Sequence, residues 1–278
     1  MNTRIPLGGY ALRAVLVCLA VVNLYPLLFT LMTSLKTSEQ FFTDIWAFPR
    51  EFLVDNYVQA FEIGRIGEYF YNSVVIALVT LAMVTVVAAF AAYALARLRV
   101  PFGGAIVGLL LIIQILPTES MILPLYMMMS KLKLLGVTYV PVTFAYVGWL
   151  LPGTIVILRN FFLSIPSELL ESARMDGSGE ISTMFRIAFP LTGGAIATCT
   201  VLNFCFVWGE LLWAQISTLT TEKGLPLTVG LINFQGQYAT DWGLMTAAIC
   251  MILFPLFLLF MFLQKYFVQG LTSGAVKG

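Results

Sequence analysis

An all-α integral membrane protein with six transmembrane helices is the fold this sequence predicts, on three observations. The 278 residues are 60% hydrophobic and 10% charged, with mean hydropathy +0.93, whereas a soluble domain carries about a quarter charged residues. Such a chain cannot cover itself with polar surface, so its solvent is lipid. Six apolar segments also meet the roughly 20 residues that a helix needs to cross a hydrocarbon core. The turns between them are short and do not alternate in polarity, which argues against a β-barrel.

The segments follow in order. Residues 11–35 form the first, kinkable at Pro26; it is too long for a signal-peptide core and lacks a small-residue cleavage site. Residues 70–96 are rich in Val and Ala. Residues 104–129 are interrupted by Gln114, Pro117, Glu119 and Pro124, and residues 138–163 contain Pro141 and Pro152. Residues 190–215 and 243–267 complete the set. Each is read as a helix because lipid offers backbone polar groups no partner. Trp46, Tyr69, Tyr139 and Trp242 suit the membrane–water interface. No internal repeat or linker divides the chain, so residues 1–278 read as one domain.

Six crossings put both termini on one side. That side carries Arg4, Arg13, Arg97, Arg99, Arg159, Arg174, Arg186, Lys265 and Lys277, nine basic residues against six on the other. The positive-inside rule therefore places both termini in the cytoplasm.

Several function classes are excluded by composition. A net charge of +1 gives no basic field for nucleic acid. The absence of histidine removes imidazole chemistry. Cys18, Cys199, Cys205 and Cys250 lie in apolar runs without metal-ligand spacing, so no metal or other cofactor is expected in this chain. It has no GxxxxGK[ST] phosphate loop and cannot itself hydrolyse ATP by that machinery.

One polar island interrupts the apolar pattern, from Glu168 to Pro190, within a cytoplasmic loop of about 164–190. Pro166 ends the preceding segment, and Ser167 is placed to cap a new helix. Glu168 and Glu171 suit the positive end of its dipole. Leu169, Leu170 and Ala173 form its apolar face, and Gly177 stops it in a left-handed conformation. A second helical stretch, 180–189, carries Ile181, Met184, Phe185 and Ile187, and Pro190 opens the fifth membrane helix. A linker resting on lipid is the plain alternative. However, Glu168, Glu171, Asp176 and Glu180 outnumber Arg174 and Arg186. Anionic lipid repels that balance, and a small apolar knob ringed by charge suits a groove on a protein.

Glu171, Ser172, Ala173, Gly177, Ile187 and Pro190 keep every spacing of the EAA signature, E-A-A-x3-G-x9-I-x-L-P, with Ser172 for the second Ala and Phe189 for Leu. The chain thus resembles the permease subunits of bacterial and archaeal ABC importers. YPLLFTLMTSLKTSEQFF at 25–42, AAYALARLRV at 91–100, LRNFFLSIP at 158–166 and the ending QGLTSGAVKG at 269–278 are similar to the carbohydrate branch, specifically its second, maltose-type permease.

The resemblance implies a type I permease in a cytoplasmic (inner) membrane. Its partners would be a sister permease, an ATPase dimer that binds ATP and Mg, an extracytoplasmic solute-binding protein, a sugar and the surrounding lipid. The island would be the coupling helix. Glu171 would pair with a basic residue of the ATPase, Leu170 and Ala173 would fill its cleft, and Gly177 would make the turn. Ser172, Asp176, Ile187 and Pro190 complete the coupling set. The tail residues Gly274, Lys277 and Gly278 would reach toward the ATPase dimer interface. The outer loop 217–241 would contact the binding protein.

Polar or aromatic residues at membrane depth are the candidates for the solute route: Gln114, Glu119, Trp149, Asn203, Trp208 and Glu210. The competing expectation is that Glu119 and Glu210 sit in water at helix ends and that Asn203 joins helices. A secondary transporter or channel would need matching broken helices or charge rings. An intramembrane enzyme would need a nucleophile with its base. The third segment is broken but no counterpart is evident, and Glu119 and Glu210 lie on no recognisable motif, so a secondary transporter or channel stands as the alternative.

Overall fold

The computed structural model of the chain describes residues 7–221, 223–234 and 240–275, with side chains for 12–221, 223–232, 234 and 240–262. Four helices are long and apolar enough to cross a membrane: Leu12–Thr33, Ile66–Arg97, Val140–Leu163 and Trp242–Phe262. Two bent pairs, Gly103–Ile113 with Thr118–Lys131 and Glu180–Leu191 with Gly193–Gly209, raise the number to six when each counts as one span. The contacts divide the chain into two compact units, Met1–Gly67 with Gly230–Phe254, and Glu68–Val229 with Pro255–Gly278.

In the first unit, the helix Leu7–Thr33 runs through Pro26, and its apolar side chains from Leu12 to Leu28, such as Val15, Leu16 and Val22, face outward. That surface requires lipid or another chain around it. Beyond it, Thr37 caps the short helix Ser38–Thr43 by accepting from the Gln40 amide at 3.0 Å. Lys36 is 1% exposed, and its ammonium donates to the Ile45 carbonyl at 2.9 Å. Asn56 donates to the Ser34 and Lys36 carbonyls, both at 2.9 Å. A Cβ at Gly243 would come 2.6 Å from the Lys36 carbonyl oxygen, so only glycine permits that approach.

The second unit is built on the helix Ile66–Arg97. Its small residues Ala88, Ala89 and Ala92 are buried in one core with Leu158, Phe162 and Ala195. Small side chains let helices approach closely where lipid gives no hydrophobic drive. A second core joins Ile76, Met129, Val142, Tyr146 and Trp213 at the far end from the polar island. There, Asn72 donates to the Leu225 carbonyl at 3.0 Å and Ser73 accepts from the Leu227 amide at 2.8 Å. These bonds pin residues 225–227, within the 217–241 loop, to the second crossing.

Three boundaries differ from the sequence expectation. The third crossing bends by 95° between Ile113 and Thr118. Its second half tolerates Pro124 because that residue sits in a first helical turn, where no amide is needed. The fifth crossing does not begin at Pro190. The chain bends by 75° at Thr192, whose hydroxyl donates to the Ala188 and Phe189 carbonyls, and the membrane helix runs Gly193–Gly209. It also ends earlier than 215. Glu210 is extended, and a separate short helix, Leu212–Ser217, follows. The last helix runs Trp242–Ala275, so Gly274 is helical, while Lys277 and Gly278 lie outside the described residues.

Candidate functional site

The polar island folds as a helix, a tight turn and a second helical stretch. Helix Ser167–Met175 starts after Pro166, and Ser167 is its first residue rather than its cap. Its orphan amides take no side-chain cap; instead, the preceding helix end is closed from a distance. Arg97, at the end of the second crossing, donates through Nε to the Phe162 carbonyl at 3.0 Å and through Nη2 to the Phe162 and Ile165 carbonyls. Arg159, on the fourth crossing, donates to the Leu95 carbonyl at 3.3 Å. Each arginine thus meets the last carbonyls of the other's helix, where the dipole favours a cation.

The helix stops at Gly177, which has φ +82°. The Ser178 amide donates to the Ala173 carbonyl at 2.9 Å and the Gly177 amide to the Arg174 carbonyl at 3.0 Å. These are the paired bonds of a Schellman motif, which satisfies carbonyls left open at a helix end. The turn is then clasped by Arg174 and Glu180, 2.8 Å apart. Tyr93 of the second crossing donates to Glu180 at 3.1 Å. The Glu180 bond raises the Arg174 pKa above its ordinary value.

The second stretch is not uniformly α-helical. Glu180–Thr183 is α, Met184–Ala188 is a π turn and Phe189–Leu191 returns to α. Pro190 explains the wide turn. It has no amide to donate to Arg186, and its ring would clash with that carbonyl in a regular helix.

The island's apolar face points the other way from the sequence expectation. Leu170 is 2% exposed and Ala173 is 9% exposed, both turned into the chain, where Leu170 joins the core with Tyr93, Phe162 and Met184. The small side chains of Ala88, Ala89 and Ala92 on the second crossing leave room in that core. The exposed apolar residues are Leu169, Met175, Ile181 and Phe185, with Glu171, Ser172, Asp176 and Gly177 also at the surface. Ile187 is half-buried against the same core, and Pro190 is exposed. A Cβ on Gly177 would meet nothing within 4 Å, so this glycine serves the backbone angle rather than a close approach inside the chain.

The solute-route candidates separate into groups. Gln114, Trp149 and Asn203 line one recess of about 250 Å³ between the third, fourth and fifth crossings. Asn203 also donates to the Thr154 hydroxyl at 3.0 Å, so it joins helices as well. Glu119 is exposed in a single turn, Thr118–Met121, outside that recess. Trp208 is buried and stacks on Phe204 at 5.1 Å. Glu210 holds the break in the fifth crossing: its carboxylate accepts from Tyr146 Oη at 2.7 Å, the Trp213 amide at 2.8 Å and the Ala214 amide at 3.1 Å. Glu210 and Trp208 therefore have structural partners and do not line the recess.

Sequence reasoning missed Tyr93, Arg97 and Glu180 as parts of the loop's frame. The available signal was weak: an Arg at the end of an apolar run beside a short loop, and a tyrosine one turn earlier.

Residues 85–273 match the family model described as "Binding-protein-dependent transport system inner membrane component". The chain is 34% identical over 268 residues to the melibiose/raffinose/stachyose import permease protein MelC of Bacillus subtilis, covering 96% of this chain and 95% of that one. It is 32% identical over 273 residues to the sulfoquinovosyl glycerol transport system permease protein SmoH of Agrobacterium fabrum, covering 98% and 95%. Among solved structures, a chain of a bacterial ABC transporter involved in the import of the acidic polysaccharide alginate superposes with a TM-score of 0.81 at 20% identity, over 96% of this chain and 99% of that one. That likeness establishes the fold, and the matches that run along nearly the whole sequence establish the kinship: the chain belongs to the family of binding-protein-dependent inner-membrane components, the permease subunits of ABC importers.

Proposed function

We propose that the chain is one of two permease subunits of an ATP-driven importer for a sugar or a closely related solute, and that the island at 167–190 couples it to the ATPase. The observation that carries the reading is the construction of the island. A helix closed by a Schellman turn at Gly177 and clasped by Arg174 and Glu180 is a rigid knob. It is seated through Leu170 and Ala173 on the chain's own core. A knob so seated moves as a body with the helices beneath it, as transmission of an ATPase movement requires. Its docking surface is then Leu169, Met175 and Ile181 with Glu171 and Asp176, while Leu170 and Ala173 anchor it from behind. ATP and Mg belong to the partner subunit.

The sugar class is supported by the relatives, whose names specify melibiose and raffinose, α-glucosides and arabinooligosaccharides. The excess of basic residues on the island's side supports a cytoplasmic island and cytoplasmic termini. Residues 1–278 act together as one permease domain, with the tail at Gly274, Lys277 and Gly278 facing the ATPases and the outer loop 217–241 facing the solute-binding protein. Purification in mild detergent tests the assembly. A sister permease, an ATPase and a binding protein should accompany the chain, and the reconstituted complex should import sugar only with ATP. A lone chain that transports without ATP would overturn the reading.

A further inference from the structure

We infer that the recess beside the bend of the third crossing binds a single ring of the transported sugar, with Gln114, Asn203 and Trp149 as its contacts; this rests on the sugar-importer reading above. The bend supplies the first argument. Residues Gln114 to Pro117 separate Ile113 from Thr118 and all four are exposed. Irregular backbone at membrane depth persists only where protein covers it or where it lines a water-filled cavity. The recess of about 250 Å³ lies at this bend.

Its chemistry selects the ligand. Gln114 and Asn203 contribute amides that both donate and accept, and Thr118 contributes a hydroxyl. Among the described lining residues none is acidic or basic, which favours a neutral polyhydroxylated solute over an ion. Trp149 contributes an aromatic wall, and its ring is held edge-on by Trp213 at 6.1 Å and by Phe206 at 6.3 Å. A fixed aromatic face suits the C–H face of a sugar ring. Gly153 keeps the site open: a Cβ there would come 3.2 Å from Gln114 Oε1. The volume falls below the roughly 300–1,000 Å³ of sites for drug-sized molecules, so the recess holds one ring.

The test uses the complete importer in proteoliposomes with labelled melibiose, raffinose and an arabinooligosaccharide. Only complexes that elute intact are compared. Trp149→Ala and Gln114→Ala should each lower uptake by about tenfold, the equivalent of one or two lost contacts, while Trp149→Phe should retain most of it. Gln114→Ala should also change the ratio of rates between the sugars, which a packing defect alone would not do. Wild-type uptake and sugar ratios in both alanine variants would overturn the inference and leave the importer reading standing. If the alanine variants do not assemble, the ratios are read on Trp149→Phe and Gln114→Asn, and unchanged ratios overturn it. Uptake by the wild type of some other solute and of no sugar would overturn the sugar reading itself.

Discussion

Tyr93 donates a hydrogen bond of 3.1 Å to Glu180, joining the second membrane crossing to the far arm of the polar loop, 87 residues away in sequence. Glu180 is at the same time held by Arg174 across the Gly177 turn. One carboxylate therefore ties both arms of the loop to the helix beneath it. Movement imposed on the loop reaches the second crossing as well as the fifth.

Tyr93→Phe keeps the ring, which is buried against Phe162 at 5.6 Å, and removes only this bond. A net loss of about 1 kcal/mol corresponds to a factor of about five in an equilibrium. Transport per ATP hydrolysed should fall by about that factor in the assembled importer. A merely structural tyrosine would leave this ratio at the wild-type value.

Arg97 meets the Phe162 and Ile165 carbonyls with a planar fork. Arg97→Ala leaves those carbonyls at a helix end without their charged donor, at roughly 1.5–3 kcal/mol. Arg97→Lys keeps the charge and loses the fork. The melting temperature of the purified complex should fall in the order wild type, Lys, Ala.

Gly177 has a positive φ and open space around it. Gly177→Ala should cost about 1–2 kcal/mol in the turn, and Gly177→Asn less, because asparagine tolerates that region. Gly177→Asp should insert normally and release the ATPase more readily on washing. Normal transport by the Asp variant would remove this glycine from the coupling account.

Glu210 accepts three hydrogen bonds at the break in the fifth crossing. Glu210→Ala should destabilise the complex by about 3 kcal/mol, the scale of losing hydrogen bonds to a charged group. Its effect should be on melting temperature and yield. A change in sugar preference with unchanged melting would instead put Glu210 on the solute route.

The six apolar segments and the Gly177 stop were legible because each is local: a run of apolar residues, or a glycine after a short amphipathic stretch. The kinship was legible in the fixed spacing from Glu171 to Pro190. The orientation of the loop was not. Leu169, Leu170 and Ala173 are all apolar, and which of them turns inward depends on Ala88, Ala89 and Ala92 in a distant helix. The bend at Thr192 was hidden for a similar reason. Pro190 marks a boundary, but the π turn before it and the hydroxyl bonds after it displace the helix start by three residues, to Gly193. The Arg97 and Tyr93 contacts span 65 and 87 residues, and no local pattern announces them.

The central claim is that the exposed side of the island docks on the ATPase. A photo-crosslinking amino acid at Met175, which is 88% exposed at the tip of the first arm, tests it most directly. Irradiation of the intact, transport-competent complex should yield an adduct with the ATPase subunit, identified by mass spectrometry. Adducts with lipid alone, from a complex that still imports sugar with ATP, would contradict the account.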